Sequence, residues 1–561
     1  MPSNESLNNG SVRIPSDQWG FKPRKIRIVC IGAGFSGLIL AYKLKHEQPL
    51  DFVDFTIYEK NHQVGGTWLE NVYPGVGCDV PAHSYIFPFE PNPSWSKCYV
   101  GGPEIQEYIL NTVEKYSLRD PIVFGVKLTS SIWDEDAGKW QLKLRRHDGT
   151  IFTDEADILI NAAGILNRHR MPKIPGLDTF KGKVMHTASW DKSYQWEDKR
   201  IAVIGNGSSG IQVVPALQPK ASKLVNFIRH PTWVSVNLCP DVTRDGMGTN
   251  FEYTEEEKDL FRTDPEKYLE YRKHIERSVN TVYRLMLSGS DLNNFLSNAT
   301  KGLMRSRLSE NPHLIEKLIP KYEIGCRRLS PGDGYLEALQ QPNAGWNFDK
   351  IEEITTTGIR TEAGEEDFDL IVCATGFDTS FVPRWEFVGR NGRRLDQEWK
   401  ESPEAYFALC AAAMPNYFMF AGPNFPIGHG SVPQGLGWSA DYMLKWVQKI
   451  AREDIKSVTV SDSVVRSYNH RIQNTLKNTV WSKGCDAWYN NGKVVTAMYP
   501  GSIIHFKESI ANIRGEDFDI QYRSSDPFAF LGNGELEWER KEAADLGFYL
   551  SSQDGRILEK D

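Results

Sequence analysis

The chain has 561 residues, with 65 basic and 73 acidic side chains and a net charge of −8. That length is enough for several domain-sized units and a large buried core, and the slight acidic excess argues against a nucleic-acid-binding protein, where a basic surplus is expected. No run of about 18 apolar residues occurs, so no transmembrane segment is expected and the protein reads as soluble and cytoplasmic.

Residues 1–24 are polar, rich in Asn and Ser, and hold no apolar stretch of the kind a signal peptide needs; they read as a flexible leader. The eight cysteines, at 30, 78, 98, 239, 326, 373, 410 and 485, are scattered and form no C-x-x-C pair. They are expected to be reduced thiols acting as small apolar residues, with no metal cluster and no dithiol couple.

The first structured signal is the β-branched run Ile26–Ile31, read as a buried parallel strand. It runs into Gly32-Ala-Gly34-Phe35-Ser36-Gly37 and then the apolar-periodic 38–44, a strand, a G-x-G-x-x-G loop and a helix. Gly32 permits the tight turn, Gly34 lets backbone approach a pyrophosphate, Gly37 lets the helix pack close, and the helix N-terminus offers free N–H groups to phosphate. A second strand, 55–59, ends in Glu59-Lys60, with the acid 22 residues beyond Gly37 and placed to bond ribose hydroxyls. Gly65-Gly66-Thr67-Trp68 follows; its glycine pair again allows close backbone approach, and Trp68 can border a ring system.

The layout repeats at 200–217, where a strand precedes Gly205-Asn-Gly207-Ser208-Ser209-Gly210, so two dinucleotides are implied. Pro215 is expected to stop or kink the helix that follows. The next strand, 223–228, ends in Arg229-His230, where a site for NAD would carry an acid. A guanidinium there suits a 2′-phosphate through charge-assisted bonds, and selects NADPH over NADH. Residues 252–321 break the strand–helix rhythm with helix-like runs that have capping residues ahead of them, read as a helical insertion. Beyond it, the strand 369–374 leads into Thr375-Gly376.

Several segments together are diagnostic. Phe180-Lys-Gly182-Lys-Val-Met-His186-Thr-Ala-Ser-Trp190-Asp191 reads F-x-G-x-x-x-H-x-x-x-W-D just ahead of the second loop. It resembles the fingerprint of the Baeyer–Villiger monooxygenases, flavoenzymes that insert one oxygen beside a ketone carbonyl; their N- and S-oxygenating relatives usually carry Tyr or Phe where Trp190 stands. The run from Glu59 to Trp68 resembles the family's flavin segment. Gly325-Cys-Arg327-Arg328 resembles its G-C-K-R element, and 73–79, ending in Cys78-Asp79, its Y-P-G-x-x-C-D element. The resemblance spans about residues 25–510.

The resemblance implies FAD and NADP(H) as cofactors and a ketone and O2 as substrates, with an anionic flavin C4a-peroxide attacking the ketone. It makes Arg328 the active-site arginine, whose permanent charge would stabilise the peroxide and the adduct. Asp79 would orient Arg328, Arg327 would grip the NADP phosphate, and Trp488, in Cys485-Asp-Ala-Trp488, would contact nicotinamide. His186 is assigned orientation and domain coupling rather than proton transfer. The chain departs from the family at Arg327, where Lys is usual, and at Val72 and Gly77, where Arg is usual. The expected fold is α/β: an FAD domain from 25–175 and 376–540, an NADP domain from 176–240 and 322–375, and the helical insertion at 241–321. The rival readings are an N- or S-oxygenating flavin monooxygenase, a disulfide reductase, which the lack of C-x-x-C disfavours, and a catalytically silent redox sensor.

Overall fold

The computed structural model describes residues 17–550, apart from 236, 238 and 247. Two five-stranded sheets form its frame. The first has the order 417–419, 158–161, 26–31, 53–59, 122–124, and every neighbouring pair is parallel. The second has the order 344–347, 223–227, 200–204, 370–373, 183–186, again all parallel. Each sheet is assembled from distant parts of the chain. Central strands are apolar throughout rather than alternating, because both faces are covered: Ile26, Ile28, Val29 and Cys30 are all inaccessible to solvent, as are Ile201, Ala202 and Val203.

In each sheet the central strand, Ile26–Ile31 or Arg200–Ile204, turns through a glycine loop into a helix, Phe35–Tyr42 in one case and Ser208–Leu217 in the other. Both helices start from an extended glycine with no side-chain cap, Gly34 and Gly207. Their first N–H groups are therefore left for a ligand or water. Pro215 does not end its helix, which continues to Leu217 and tightens into a 3-10 turn at Gln218–Lys220. So close to the C-terminus the proline removes a single bond, and the buried Val213, Val214 and Leu217 hold the turn in place.

Residues 255–318, between the strands 223–227 and 344–347, form the helices Glu255–Thr263, Pro265–Leu285, Asp291–Arg307 and Pro312–Leu318. Each starts at a side-chain cap: Thr254, in a capping box with Glu257, then Asp264, Ser290 and Asn311. No helix among the described residues is long and apolar enough to cross a membrane.

The expected flexible leader lies mostly outside the described residues, and its described end is not free. Gly20 and Phe21 donate backbone N–H groups to the carbonyls of Glu535 (2.8 Å) and Phe530 (2.7 Å), and Lys22 pairs with Glu537. The polar composition concealed this because the partners are backbone groups more than 500 residues away.

Candidate active site

The first glycine loop is built around contacts that only glycine allows. Gly32 sits at φ +110°, and a Cβ on Gly37 would lie 2.1 Å from the Gly32 carbonyl oxygen. A Cβ on Gly34 would meet only Gly66 within 4 Å, with the Gly66 Cα 3.5 Å away. The Gly65–Gly66 turn, at φ +133° and +56°, thus faces the loop across a gap that backbone alone borders. Glu59 is 5% exposed, and its two carboxylate oxygens accept N–H groups of Ala33 and Asn61, each at 2.8 Å. The acid therefore braces the glycine loop as well as presenting its remaining lone pairs. Lys60 pairs with Glu70 at 2.7 Å. Phe35 stacks on Phe87, centroids 4.4 Å apart, and Ser36 stands in the helix's first turn. Thr67 opens a short helix in which Trp68 is buried and donates its indole N–H to the Tyr85 hydroxyl at 3.2 Å.

The second loop repeats the turn but not the surroundings. Gly205 sits at φ +111°, and a Cβ on Gly210 would lie 2.3 Å from the Gly205 carbonyl oxygen. Around Gly207 a Cβ would meet nothing within 4 Å. Ser208 shares a hydroxyl contact with Ser330 at 2.8 Å, and Ser209 faces Tyr73. Arg229 is an exposed side chain whose Nη2 meets the Asp486 carboxylate at 2.8 Å; His230 lies 3.7 Å from the same oxygen. Burial, then Arg229 and Arg327, hold the His230 imidazole below its usual range. Arg327 lies over the Tyr322 ring, and its buried Nε has no hydrogen-bond partner.

Asp79 and Arg328, 249 residues apart, meet in a two-pronged ion pair: Nε and Nη2 each donate to one carboxylate oxygen at 2.7 Å. The third prong, Nη1, donates to the Ile427 carbonyl at 3.2 Å. Burial opposes the charge on Arg328, but Asp79 outweighs it and raises the guanidinium above its ordinary value. The pair borders a pocket that opens to solvent. Its walls come from four parts of the chain: Asp79 and Tyr85, Val279 and Val282 of the 21-residue helix, Arg328, and His429. A smaller pocket beside it is lined by Arg327, Arg328, Trp481 and Tyr489. Trp488 is half-buried with its ring edge-on to Tyr489, centroids 4.6 Å apart.

The fingerprint segment lies apart from these pockets. Residues 183–186 form the edge strand of the second sheet, parallel to 370–373. His186 is buried and stacks on His169, centroids 4.7 Å apart, and its Nδ1 accepts the Ala188 N–H. Burial and His169 lower its pKa to about 4, so it stands neutral. His169 belongs to the first of two adjacent crossings between the sheets, 168–170 and 376–378. Here Arg170 donates its N–H to the Gly376 carbonyl and Thr375 its hydroxyl to the Arg170 carbonyl. Gly376 takes φ +79° at this crossing. Trp190 packs half-buried on the core, and Asp191 pairs with Lys183 at 2.5 Å.

One expectation is overturned. Cys326 and Cys485 are joined by a disulfide across 159 residues, while the other six cysteines are free. The absence of C-x-x-C spoke only to neighbours in sequence, and this pair is brought together by folding. The bond ties the residue before Arg327 to the residue before Asp486. Sequence reading also passed over His429, buried with neither ring nitrogen hydrogen-bonded and lowered to about 4 by burial and by Arg328. Nothing in its glycine- and proline-rich loop signalled where it would point. Tyr85, Val279 and Val282 were equally hidden.

The family model for flavin-binding monooxygenase-like proteins matches residues 25–270. The FAD-binding monooxygenase tazF of Aspergillus terreus is 62% identical over 562 residues, covering 98% of this chain and all of that protein. A Baeyer–Villiger monooxygenase of Streptomyces coelicolor is 33% identical over 503 residues, covering 88% of this chain and 92% of its own length. Among solved structures, cyclohexanone monooxygenase from Rhodococcus sp. Phi1 bound to NADP+ superposes with a TM-score of 0.76 at 27% identity, covering 89% of this chain and all of that one. With its two loops, its paired Asp79 and Arg328 and these relatives, the chain belongs to the flavin-binding monooxygenase family.

Proposed function

We propose that the protein is an FAD- and NADPH-dependent Baeyer–Villiger monooxygenase, converting a ketone, O2, NADPH and a proton to an ester or lactone, water and NADP+. The observation that carries this reading is the Arg328 guanidinium, clamped by Asp79 and Ile427 at the edge of the pocket. The two loops suit dinucleotides: each has an uncapped helix N-terminus and a middle glycine approached by no side chain, Gly34 facing only the Gly66 backbone and Gly207 facing open space.

Gly32, Gly34, Gly37, Glu59, Gly66 and Trp68 would hold FAD. Gly205, Gly207, Ser208, Ser209, Gly210, Arg229, His230 and Arg327 would hold NADPH, with Thr375, Gly376 and Trp488 beside it. When bound, FAD supplies oxygen activation and NADPH the reducing electrons. The chain's own contribution is electrostatic. Arg328 cannot lose its proton under working conditions and offers fixed donors to the negative charge that develops on the ketone oxygen under attack. Asp79 holds the guanidinium plane in one orientation, and Ile427 fixes its third prong, so little reorganisation is needed when that charge appears. Val279 and Val282 supply an apolar wall that keeps water from competing for the same donors.

The test is NADPH oxidation by the purified holoenzyme across ketones, with ester measured in the same vials. One ester per NADPH for at least one ketone supports the reading. Oxygenation of amines or sulfides with no ester from any ketone would replace it with the N- or S-oxygenating alternative.

A further inference from the structure

Two guanidinium groups, Arg229 and Arg327, and the His230 imidazole converge where the proposed NADPH would place its 2′-phosphate, and one acid sits among them. Asp486 pairs with Arg229 at 2.8 Å and lies 3.7 Å from His230. Arg327 is close enough to depress the His230 imidazole. Asp486 is not on a free arm: the adjacent Cys485 is bonded to Cys326, which adjoins Arg327. The cross-link keeps the carboxylate at the cationic cluster, so an incoming phosphate meets it there. Arg229 already gives Nη2 to Asp486, and that carboxylate repels a dianionic phosphate drawn to the same guanidinium.

We propose that Asp486 is a specificity-determining residue: an anionic latch on Arg229 and His230 that the cofactor's 2′-phosphate must displace. The inference rests on the NADPH reading above. It makes the affinity for phosphorylated dinucleotides lower than Arg229, Arg327 and His230 would give without the acid. It also ties the 485–489 segment, which carries Trp488, to the arrival of that phosphate.

The Arg229–Asp486 pair is largely exposed, with side chains 80% and 64% accessible, so the effect is moderate. Removing an acid from such a surface pair corresponds to about 0.5–1 kcal/mol, or roughly a 2- to 5-fold change in affinity. The experiment titrates the FAD-loaded enzyme with 2′,5′-ADP and with 5′-AMP by calorimetry at low salt, in wild type, Asp486→Asn, Arg229→Ala and the double variant. FAD content and Tm confirm that each variant is folded. Expected is a tighter Kd for 2′,5′-ADP in Asp486→Asn, no change for 5′-AMP, and no gain from Asp486→Asn once Arg229 is Ala. Unchanged or weaker 2′,5′-ADP binding in Asp486→Asn, or equal tightening of both probes, overturns the latch. If 2′,5′-ADP binds no better than 5′-AMP in every variant, the 2′-phosphate site fails, and the latch with it.

Discussion

The two glycine loops share a turn and differ in what surrounds it. At the first, the acid that follows, Glu59, is buried and bonded to the loop's own Ala33 N–H, and a second glycine turn closes over Gly34. At the second, the corresponding Arg229 is exposed, its partner is a carboxylate on a distant segment, and Gly207 faces open space. One loop is a braced socket, the other an open cradle with exchangeable partners. The difference fits the proposed roles, a resident FAD at the first loop and an NADPH that enters and leaves at the second. Arg328 stands between them, held by Asp79 from the first unit.

The largest expected effect falls on that shared point. Arg328→Ala should lower ester formation by about 10²–10³ while FAD content survives, because the loops that hold flavin do not depend on it. Oxygen uptake should then yield hydrogen peroxide, read by a peroxidase assay; ester formation near the wild-type rate would remove Arg328 from the chemistry.

Next comes a crossed pair that sets socket against cradle. Losing a charge-assisted bond costs about 1.5–3 kcal/mol, or roughly 10- to 150-fold in affinity. Arg229→Ala should raise the KM for NADPH within that range and leave NADH nearly unchanged. Glu59→Ala should instead lower Tm and FAD content, because it strips the acceptor from a buried loop N–H. Loss of FAD from Arg229→Ala, or a pure NADPH effect from Glu59→Ala, would erase the contrast.

A smaller effect is expected at Gly207→Ala. Its φ of −74° suits any residue and its Cβ would meet nothing, so stability should change by less than about 0.5 kcal/mol. NADPH binding should weaken all the same, because the methyl would stand where the pyrophosphate approaches. A Tm loss without a binding loss would mean the space in front of Gly207 is not a ligand's. The last prediction changes no rate: thiol titration of the denatured, unreduced protein should count six cysteines, rising to eight after reduction. A count of eight before reduction would release the 485–489 segment from the arginine loop and weaken the case for a tethered Asp486.

The amino-acid sequence by itself determined the two strand–loop–helix units, because close packing and left-handed φ values at Gly32 and Gly205 demand glycine at set spacings. It also marked Arg328 and Asp79 as candidates, because they stand at the matching positions of the G-C-K-R and Y-P-G-x-x-C-D elements of the family the sequence resembles. The capped helices of the insertion were legible because a cap acts within three residues of its own position. Tertiary structure alone decided the rest. It placed residues 183–186 at a sheet edge, joined Cys326 to Cys485, and brought Asp486 to Arg229 and Val279 to the pocket. Each of these depends on contacts between residues separated by some 150 or more positions, and local periodicity carries no information about such pairs. The residues that bind a turn are written beside one another, whereas those that shape a pocket meet only when the sheets and the insertion pack.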